Sequence, residues 1–224
     1  MPRPDELVLV VRNGFLFNDN DGYFEGFMDA SKADYMSTIL KNHSFMRHDT
    51  ASLLAGKYKQ PIAYCAIVNP TTKHVYVYTR ASGAEGDAAN VEKLLQGNIS
   101  FGAGGHMVES ADTSVDIIVS NKIRELAEEA DIQGSKQFQS FGYINNDDDR
   151  NNGVGKVHFG LMYLVITDAT VVRPIDKEAQ IGGMVHISDL ERTIKESRRK
   201  GSSVIVEPWS EISFEPLTRY LGYK

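Results

Sequence analysis

The segment from Arg124 to Ile132 reads Arg-Glu-Leu-Ala-Glu-Glu-Ala-Asp-Ile and decides the fold of this chain. In a helix, Glu125 shares a face with Glu128 and Glu129, because residues three and four positions apart are neighbours on the helix surface. Like charges at this spacing destabilise a helix by about 0.2–0.5 kcal/mol per pair, and the negative C-terminal end of the helix dipole adds to this effect. A hard divalent cation bridging the carboxylates would offset both effects. The helix alone supports a metal site and a solvated acidic face equally well.

A glycine pair upstream of this helix favours the metal site. Gly104 and Gly105 lack side chains, so the backbone there can approach a ligand closely. Carboxylates on the helix would hold a metal ion, and the ion would hold phosphate oxygens in a pocket between loop and helix. The sequence therefore predicts a metal site that binds a phosphate-containing ligand.

Together, the segments Gly104–Glu109 and Arg124–Ile132 resemble the Nudix box, whose pattern is G-x5-E-x7-R-E-U-x-E-E-x-G-U with U aliphatic. The R-E-U-x-E-E half matches completely. The chain is similar to larger bacterial and phage Nudix proteins in five further segments: Phe45–Arg47, Tyr58–Gln60, Ser100–His106, Val157–Gly160 and Glu207–Ser210. The resemblance implies an α/β/α sandwich around a central mixed β-sheet, which is also the α/β (α+β) architecture that the strand and helix patterns favour.

The chain departs from this pattern in two places. The interval between Gly105 and Arg124 is about five residues longer than in the pattern, so the first glutamate of the box has no single counterpart. The candidates are Asp116, which has the correct distance to Arg124, and its competitors Asp112 and Glu109. An equally good interpretation of Asp116 is a helix N-cap. Asp131 replaces the glycine of the box, which affects the turn after the helix and leaves the metal ligands in place.

The resemblance also implies roles for the residues that match the box. Glu125, Glu128 and Glu129 would bind one or more Mg²⁺ or Mn²⁺ ions, with the Gly105 carbonyl as a candidate fourth ligand, and a water would be directed at a phosphorus atom. Arg124 would orient these carboxylates through an internal ion pair, since Glu128 lies four residues further on.

Several other polar residues have both a functional and a structural interpretation. Glu109 is either a further ligand or a solvated loop residue. Glu178 is a candidate general base, although a solvated surface position is the commoner role for such a residue. We expect His158, in an apolar strand, to be a hydrogen-bonded core residue, and the loop Asp147–Asp149 to be a solvated turn. Trp209 and Phe214 are at helical spacing and are predicted to be core or interface residues in preference to base-stacking platforms.

Apolar periodicity predicts the elements around the site. The predicted strands are Glu6–Val11, a hairpin of Pro61–Val68 with His74–Arg80, a strand buried on both faces at Val157–Ile166, and Met184–Ile187. The predicted helices run from Thr113–Asp116 to Gln133–Gly134, from Ser188 as N-cap through Leu190 and Ile194, and from Pro208 to Leu221, with a less regular helical pattern at Met36, Ile39 and Leu40.

Composition limits the class of protein. The chain has 224 residues, of which 42% are hydrophobic and 24% charged, as in folded soluble proteins. The net charge of −6 argues against polymeric nucleic acid as a partner. Neither a signal peptide nor a membrane span is expected, because the segment Met1–Val11 lacks a basic region before a long apolar stretch and no window approaches about 18 apolar residues. The single Cys65 cannot form an internal disulfide, so we expect a cytoplasmic protein.

These features lead to one preferred function and two alternatives. We expect one domain over residues 1–224, with residues 1–50 as an N-terminal extension that either forms a homodimer or covers the substrate. The preferred function is metal-dependent cleavage of a diphosphate bond in a small nucleotide-like molecule: a nucleotide sugar, ADP-ribose, a dinucleotide or a nucleoside triphosphate. The first alternative is a Nudix-fold sensor that binds a nucleotide without cutting it. The second is an acidic helix that serves as a protein-interaction surface.

Overall fold

The computed structural model describes residues 3–80, 97–109, 116–148, 153–175 and 179–223 of the chain. Within these residues, ten strands form one mixed sheet and two more form a short antiparallel pair. The strands are β1 (Leu7–Arg12), β2 (Gly26–Asp29), β3 (His43–Arg47), β4 (Tyr58–Asn69), β5 (His74–Arg80), β6 (Ile99–Ser100), β7 (Gly102–Ala103), β8 (Ala130–Ile132), β9 (Gln137–Asn145), β10 (His158–Ile166), β11 (Val172–Pro174) and β12 (Ala179–His186). The helices are α1 (Asn13–Leu16), α2 (Tyr35–Asn42), α3 (His48–Leu53), α4 (Ile117–Glu129), α5 (Val154–Val157), α6 (Ile187–Ser197) and α7 (Pro208–Tyr220).

The centre of the sheet is the parallel pair of β4 and β10. Their register runs from Gln60 opposite His158 to Val68 opposite Ile166, and the main strand order is β12-β5-β4-β10-β9-β2. β10 is buried on both faces, as its continuous apolar sequence predicts. The predicted hairpin is confirmed in β4 and β5, which pair antiparallel at Val68 and Val75.

Each face of the sheet carries its own hydrophobic core, because successive side chains of β4 point to opposite faces. Ala63, Cys65 and Ile67 face one core, which contains these residues of α4 and the N-terminal elements: Ile118, Leu126, Leu16, Phe17, Tyr35 and Ile39. Ile62 and Tyr64 face the other core, which contains these residues of α6 and α7: Leu190, Ile194, Trp209 and Leu217. The predicted α/β/α sandwich with a central mixed sheet is thus confirmed.

The predicted boundaries of α4, β12 and α6 are wrong. Helix α4 ends at Glu129, before Gln133, because Ala130–Ile132 leave the helix to pair with β11. Strand β12 begins at Ala179, ahead of the predicted Met184, since it pairs with β5 along most of its length. The N-cap of α6 is His186, two residues before the predicted Ser188, and its ring accepts a hydrogen bond from the Ser188 backbone N–H.

Strand β9 and the lengths of the helices complete the description of the fold. The sequence pattern does not predict strand β9, because the first half of the strand is exposed or half-buried and only its second half is buried. No helix in the described part of the chain is both long enough and apolar enough to cross a membrane.

Candidate metal centre

The loop that carries Gly104 and Gly105 lies against β4. The Gly105 carbonyl accepts a hydrogen bond from the Ala63 backbone N–H at 3.2 Å. Gly104 has a φ of +151°, and a side chain there would overlap the Ala63 carbonyl. Gly104 is therefore required by the close approach of the loop to the strand.

Gly105 also faces the Glu125 side chain of helix α4. A methyl group added at Gly105 would lie 2.5 Å from Oε2 of Glu125, so only glycine leaves room for this carboxylate in its present position. The Glu125 side chain is 13% exposed. Burial raises the pKa of Glu125, and the positive charge of Arg124 opposes this rise. Glu125 is therefore a carboxylate held out of water, where a cation would stabilise its charged form.

Arg124 connects the loop to the helix. Its Nη2 donates to Oε1 of Glu125 at 2.5 Å and to the His106 carbonyl at 3.1 Å. Its Nη1 donates to Oε2 of Glu128 at 3.1 Å, which is the ion pair expected between residues four positions apart. The arginine thus orients two of the three carboxylates from within the helix.

The three glutamates differ in their surroundings. Glu128 is 56% exposed, so its pair with Arg124 contributes little to stability. Glu129 accepts a hydrogen bond from the Gly104 backbone N–H at 3.0 Å through Oε2. This bond links the far end of the acidic cluster to the first glycine of the loop.

The donor set fits a hard divalent cation, although the carboxylates are not assembled around one point. Glu125, Glu128 and Glu129 offer only oxygen ligands, which Mg²⁺ and Mn²⁺ prefer. Among the residues that the structure describes, no group of three or more His, Cys, Asp or Glu side chains is arranged to hold a metal ion. The carboxylates instead bond to Arg124 and to the loop: Glu125 and Glu128 accept from Arg124, and Glu129 accepts from the Gly104 backbone N–H.

The structure separates the candidates for the first glutamate of the box. Asp116 is the N-cap of α4, because its Oδ1 accepts hydrogen bonds from the backbone N–H groups of Ile118 at 2.8 Å and Val119 at 3.2 Å. Glu109 is exposed on the loop. Asp112 and the candidate general base Glu178 lie outside the described residues.

Three buried histidines, His48, His106 and His158, form a cluster that includes a residue of the loop, and the sequence pattern does not predict it. His158 Nδ1 donates to the Val154 carbonyl at 2.9 Å, so its Nε2 accepts the hydrogen bond from His106 Nε2 at 3.1 Å. The ring of His48 packs edge-to-face on that of His106, with centroids 4.7 Å apart. Burial lowers the pKa of His158 to about 3, so it is a neutral, hydrogen-bonded core residue, as predicted.

The prediction of a solvated turn at Asp147–Asp149 is wrong for its first residue. Oδ1 of Asp147 pairs at 2.5 Å with Nζ of Lys59, whose side chain is fully buried. Lys59 Nζ also donates to the Gly155 carbonyl at 2.8 Å. A buried ammonium group requires such partners, and its partner Asp147 is consequently held in place. Asp149 lies outside the described residues.

Crystal structures of Nudix proteins are similar to this chain. Tm1382, provisionally described as a Nudix hydrolase, matches with a TM-score of 0.71 and 23% identity over 96% of this chain and 100% of its own. MutT from Aliivibrio salmonicida or Vibrio cholerae gives 0.37 and 24% over 60% of this chain and 85% of its own. A bifunctional NMN adenylyltransferase/ADP-ribose pyrophosphatase from Francisella tularensis, complexed with AMP and manganese, gives 0.48 and 14% over 73% of this chain and 42% of its own.

The likeness to Tm1382 shows that the chain has the fold of the Nudix hydrolases, and the predicted resemblance is confirmed at this level. The other two structures are too distant to support an inference. No protein-family model and no curated protein sequence matches the chain.

Proposed function

We propose that this protein is a Nudix hydrolase that uses Mg²⁺ or Mn²⁺ to cleave a diphosphate bond in a nucleoside diphosphate linked to another group. The substrate class includes nucleotide sugars, ADP-ribose, dinucleotides and nucleoside triphosphates. The observation that carries the proposal is the largely buried carboxylate of Glu125 facing Gly105, on a helix that matches the R-E-U-x-E-E half of the box within a Nudix fold. A largely buried carboxylate with a raised pKa, in contact with a glycine loop, is typical of a ligand-binding site.

In this proposal the residues of the chain have distinct roles. Glu125, Glu128 and Glu129, with the Gly105 carbonyl, would hold the ion. When bound, the ion neutralises charge on phosphate oxygens and lowers the pKa of a coordinated water. Arg124 keeps the carboxylates aligned through its bonds to Glu125 and Glu128.

The general base is a separate part of the proposal. Glu178 remains its candidate, and a solvated position remains the alternative for that residue. Turnover by Glu178→Gln, compared with turnover by the wild type across pH, tests the assignment. Loss of the acid limb of the pH profile supports it, and an unchanged profile contradicts it.

The alternative function is a nucleotide sensor without turnover. Its motivating feature is Asp131 in place of the box glycine. In the structure Asp131 lies in β8, opposite Arg173 of β11. It is two residues beyond Glu129, the last residue of helix α4. The substitution therefore changes the exit from the helix and leaves the acidic face intact, which favours the hydrolase.

A panel of nucleotide substrates tests the proposed function directly. The protein is incubated with each substrate in Mg²⁺, in Mn²⁺ and with EDTA, and the products are identified by mass. We expect diphosphate cleavage of at least one substrate class with metal and none with EDTA. Undiminished turnover after exhaustive chelation would contradict the metal assignment. Nucleotide-dependent thermal stabilisation without any product would support the sensor.

We also propose that residues 1–224 form one domain in which residues 1–50 are an extension. Leu16, Phe17, Tyr35 and Ile39 are buried in the same core as helix α4, which supports this division. Removal of residues 1–50 should therefore expose apolar core surface. Retention of full stability by the truncated protein would contradict a packed extension.

A further inference from the structure

Asn121 of helix α4 is buried against the loop Gly104–Glu109, called the glycine loop below. Its side chain is on the helix face that contacts the loop, and the residue is only 3% exposed. Its Oδ1 accepts from the Val108 backbone N–H at 3.1 Å, and its Nδ2 donates to the Val108 carbonyl at 3.1 Å. The amide therefore binds both backbone groups of one loop residue, as a neighbouring strand would do.

The same amide is bonded to the arginine of the acidic cluster. Oδ1 of Asn121 also accepts from Nη2 of Arg124 at 2.9 Å, and Nδ2 also donates to the Ile117 carbonyl at 2.9 Å. Two bonds at each end of the amide satisfy its hydrogen-bonding capacity. Arg124 in turn bonds to Glu125, so a continuous path of hydrogen bonds leads from the Val108 peptide to a proposed metal ligand.

The loop needs such an attachment because of its length. The interval between Gly105 and Arg124 is longer than the Nudix pattern by about five residues, and each added residue increases the conformational freedom that must be restricted. On its other side the loop is fixed to β1, where the Leu9 backbone N–H donates to the Met107 carbonyl at 2.7 Å. Asn121 supplies the corresponding attachment to the helix.

We infer that Asn121 is a positioning residue for the metal centre: it fixes the loop after Gly105 to the acidic helix and sets the place of Arg124. This inference rests on the proposed metal-dependent function. Partners that hold metal ligands in position typically change metal affinity or activity 10–100-fold when removed. Loss of the Asn121 amide should therefore weaken metal binding beyond its effect on folding.

The chain contains a matched control at Asn69. This residue is also an asparagine that is 3% exposed, and it also binds backbone groups at both ends of its amide. Its Nδ2 donates to the Ala169 carbonyl at 3.1 Å and its Oδ1 accepts from the Thr72 backbone N–H at 3.2 Å. Asn69 is the last residue of β4, six residues and roughly 20 Å beyond Ala63, which contacts the glycine loop, at 3.3 Å per residue.

The test compares Asn121→Ala with Asn69→Ala, each assayed well below its melting temperature. We expect the Mg²⁺ concentration for half-maximal turnover to rise about tenfold or more in Asn121→Ala and to stay within about twofold of wild type in Asn69→Ala. Equal half-saturation in Asn121→Ala and wild type would overturn the inference. Absence of metal-dependent turnover in the wild type would instead refute the proposed function.

Amide hydrogen exchange on the unmodified protein provides a second readout, which decides the matter if Asn121→Ala does not fold. The Val108 and Thr72 amides both donate to asparagine side chains, so they form a matched pair. We expect saturating Mg²⁺ to slow exchange at Val108 at least tenfold and to leave Thr72 unchanged. Equal responses of the two amides would overturn the positioning role.

Discussion

Gly105 and Glu125 are so close that a methyl group on the glycine would lie 2.5 Å from the Oε2 atom of the glutamate. Gly105→Ala should therefore turn the Glu125 carboxylate away from the loop. Because the displaced atoms are the end of a flexible side chain, we expect a loss of stability of no more than about 1 kcal/mol. Metal-dependent turnover should fall at least tenfold, measured as kcat/KM across a Mg²⁺ titration.

Gly183→Ala is the matched control, since a methyl group there meets nothing within 4 Å. It should retain the turnover and the metal dependence of the wild type. Normal turnover by Gly105→Ala would show that Glu125 does not need its present place beside the loop.

Changing Glu128 to Gln separates catalysis from structural pairing in the acidic helix. Gln keeps the shape and helix propensity of the side chain but removes one of three clustered charges. The pair with Arg124 is exposed, so the metal-free protein should change in stability by less than about 0.5 kcal/mol. Turnover should be largely lost, and the stabilisation by Mg²⁺ should shrink.

Melting curves with EDTA and with Mg²⁺, recorded beside phosphate-release rates, measure these effects. Glu215→Gln is the control, because Glu215 also forms an exposed pair four positions from an arginine, Arg219. It should alter neither turnover nor the response to metal. Clear metal-free destabilisation of Glu128→Gln with near-normal turnover would contradict the ligand assignment.

The sequence predicted the centre of the sheet and the acidic helix for physical reasons that do not extend to the whole chain. Strand β10 is buried on both faces, so its sequence is continuously apolar and easily recognised. Strand β9 crosses from the exposed rim into the core, and this change of environment interrupts any simple alternation. The pairing of Ala130–Ile132 with β11 is a tertiary contact that overrides the helical periodicity.

At the candidate site, too, some residues could be predicted from the sequence and others could not. The glycine pair and the three glutamates were predicted because their residue types and spacing form a motif. Asn121 and His106 were not, since the partners that give them a role are brought together only by the fold: His158 is 52 positions from His106 in sequence. Asp147 was assigned to a solvated turn because its loop is rich in Asn and Gly, while its partner Lys59 is 88 positions away.

The pair of Lys59 and Asp147 should be important for stability. Lys59 is fully buried, and burial lowers its pKa while Asp147 opposes this change. Asp147→Asn would leave the buried ammonium without its counter-charge. We expect a loss of about 2 kcal/mol in the free energy of unfolding, below the 3–5 kcal/mol typical of fully buried pairs because Asp147 is 32% exposed.

Adding Lys59→Met to Asp147→Asn tests the cause of this loss. The double variant removes the buried charge and keeps an apolar stem of similar length, so it should be more stable than Asp147→Asn alone in urea unfolding. If the two variants are equally stable, or if Asp147→Asn matches the wild type, the pair does not act through the buried charge.

The buried His158 should make the protein sensitive to acid. Its pKa is lowered from 6.5 to about 3 in the folded state, so folding keeps it neutral while the unfolded chain binds a proton below about pH 6.5. The contribution of His158 to the free energy of unfolding is therefore fully present above about pH 6.5 and is lost as the pH falls toward 3. The expected loss between pH 7 and pH 5 is about 2 kcal/mol, from a limiting slope of about 1.4 kcal/mol per pH unit.

His158→Gln isolates this contribution, because the Gln side-chain oxygen can still accept the hydrogen bond from His106 Nε2 but cannot titrate. The variant will be less stable at pH 7 if its amide fits the site less well. Its stability should nevertheless fall by about 2 kcal/mol less than that of the wild type between pH 7 and pH 5. Above pH 7 the difference between the two proteins should be constant, since neither the folded nor the unfolded state then binds a proton at this position. Urea unfolding in half-unit steps of pH measures both curves, and parallel curves between pH 7 and pH 5 would show that His158 is not held neutral by the fold.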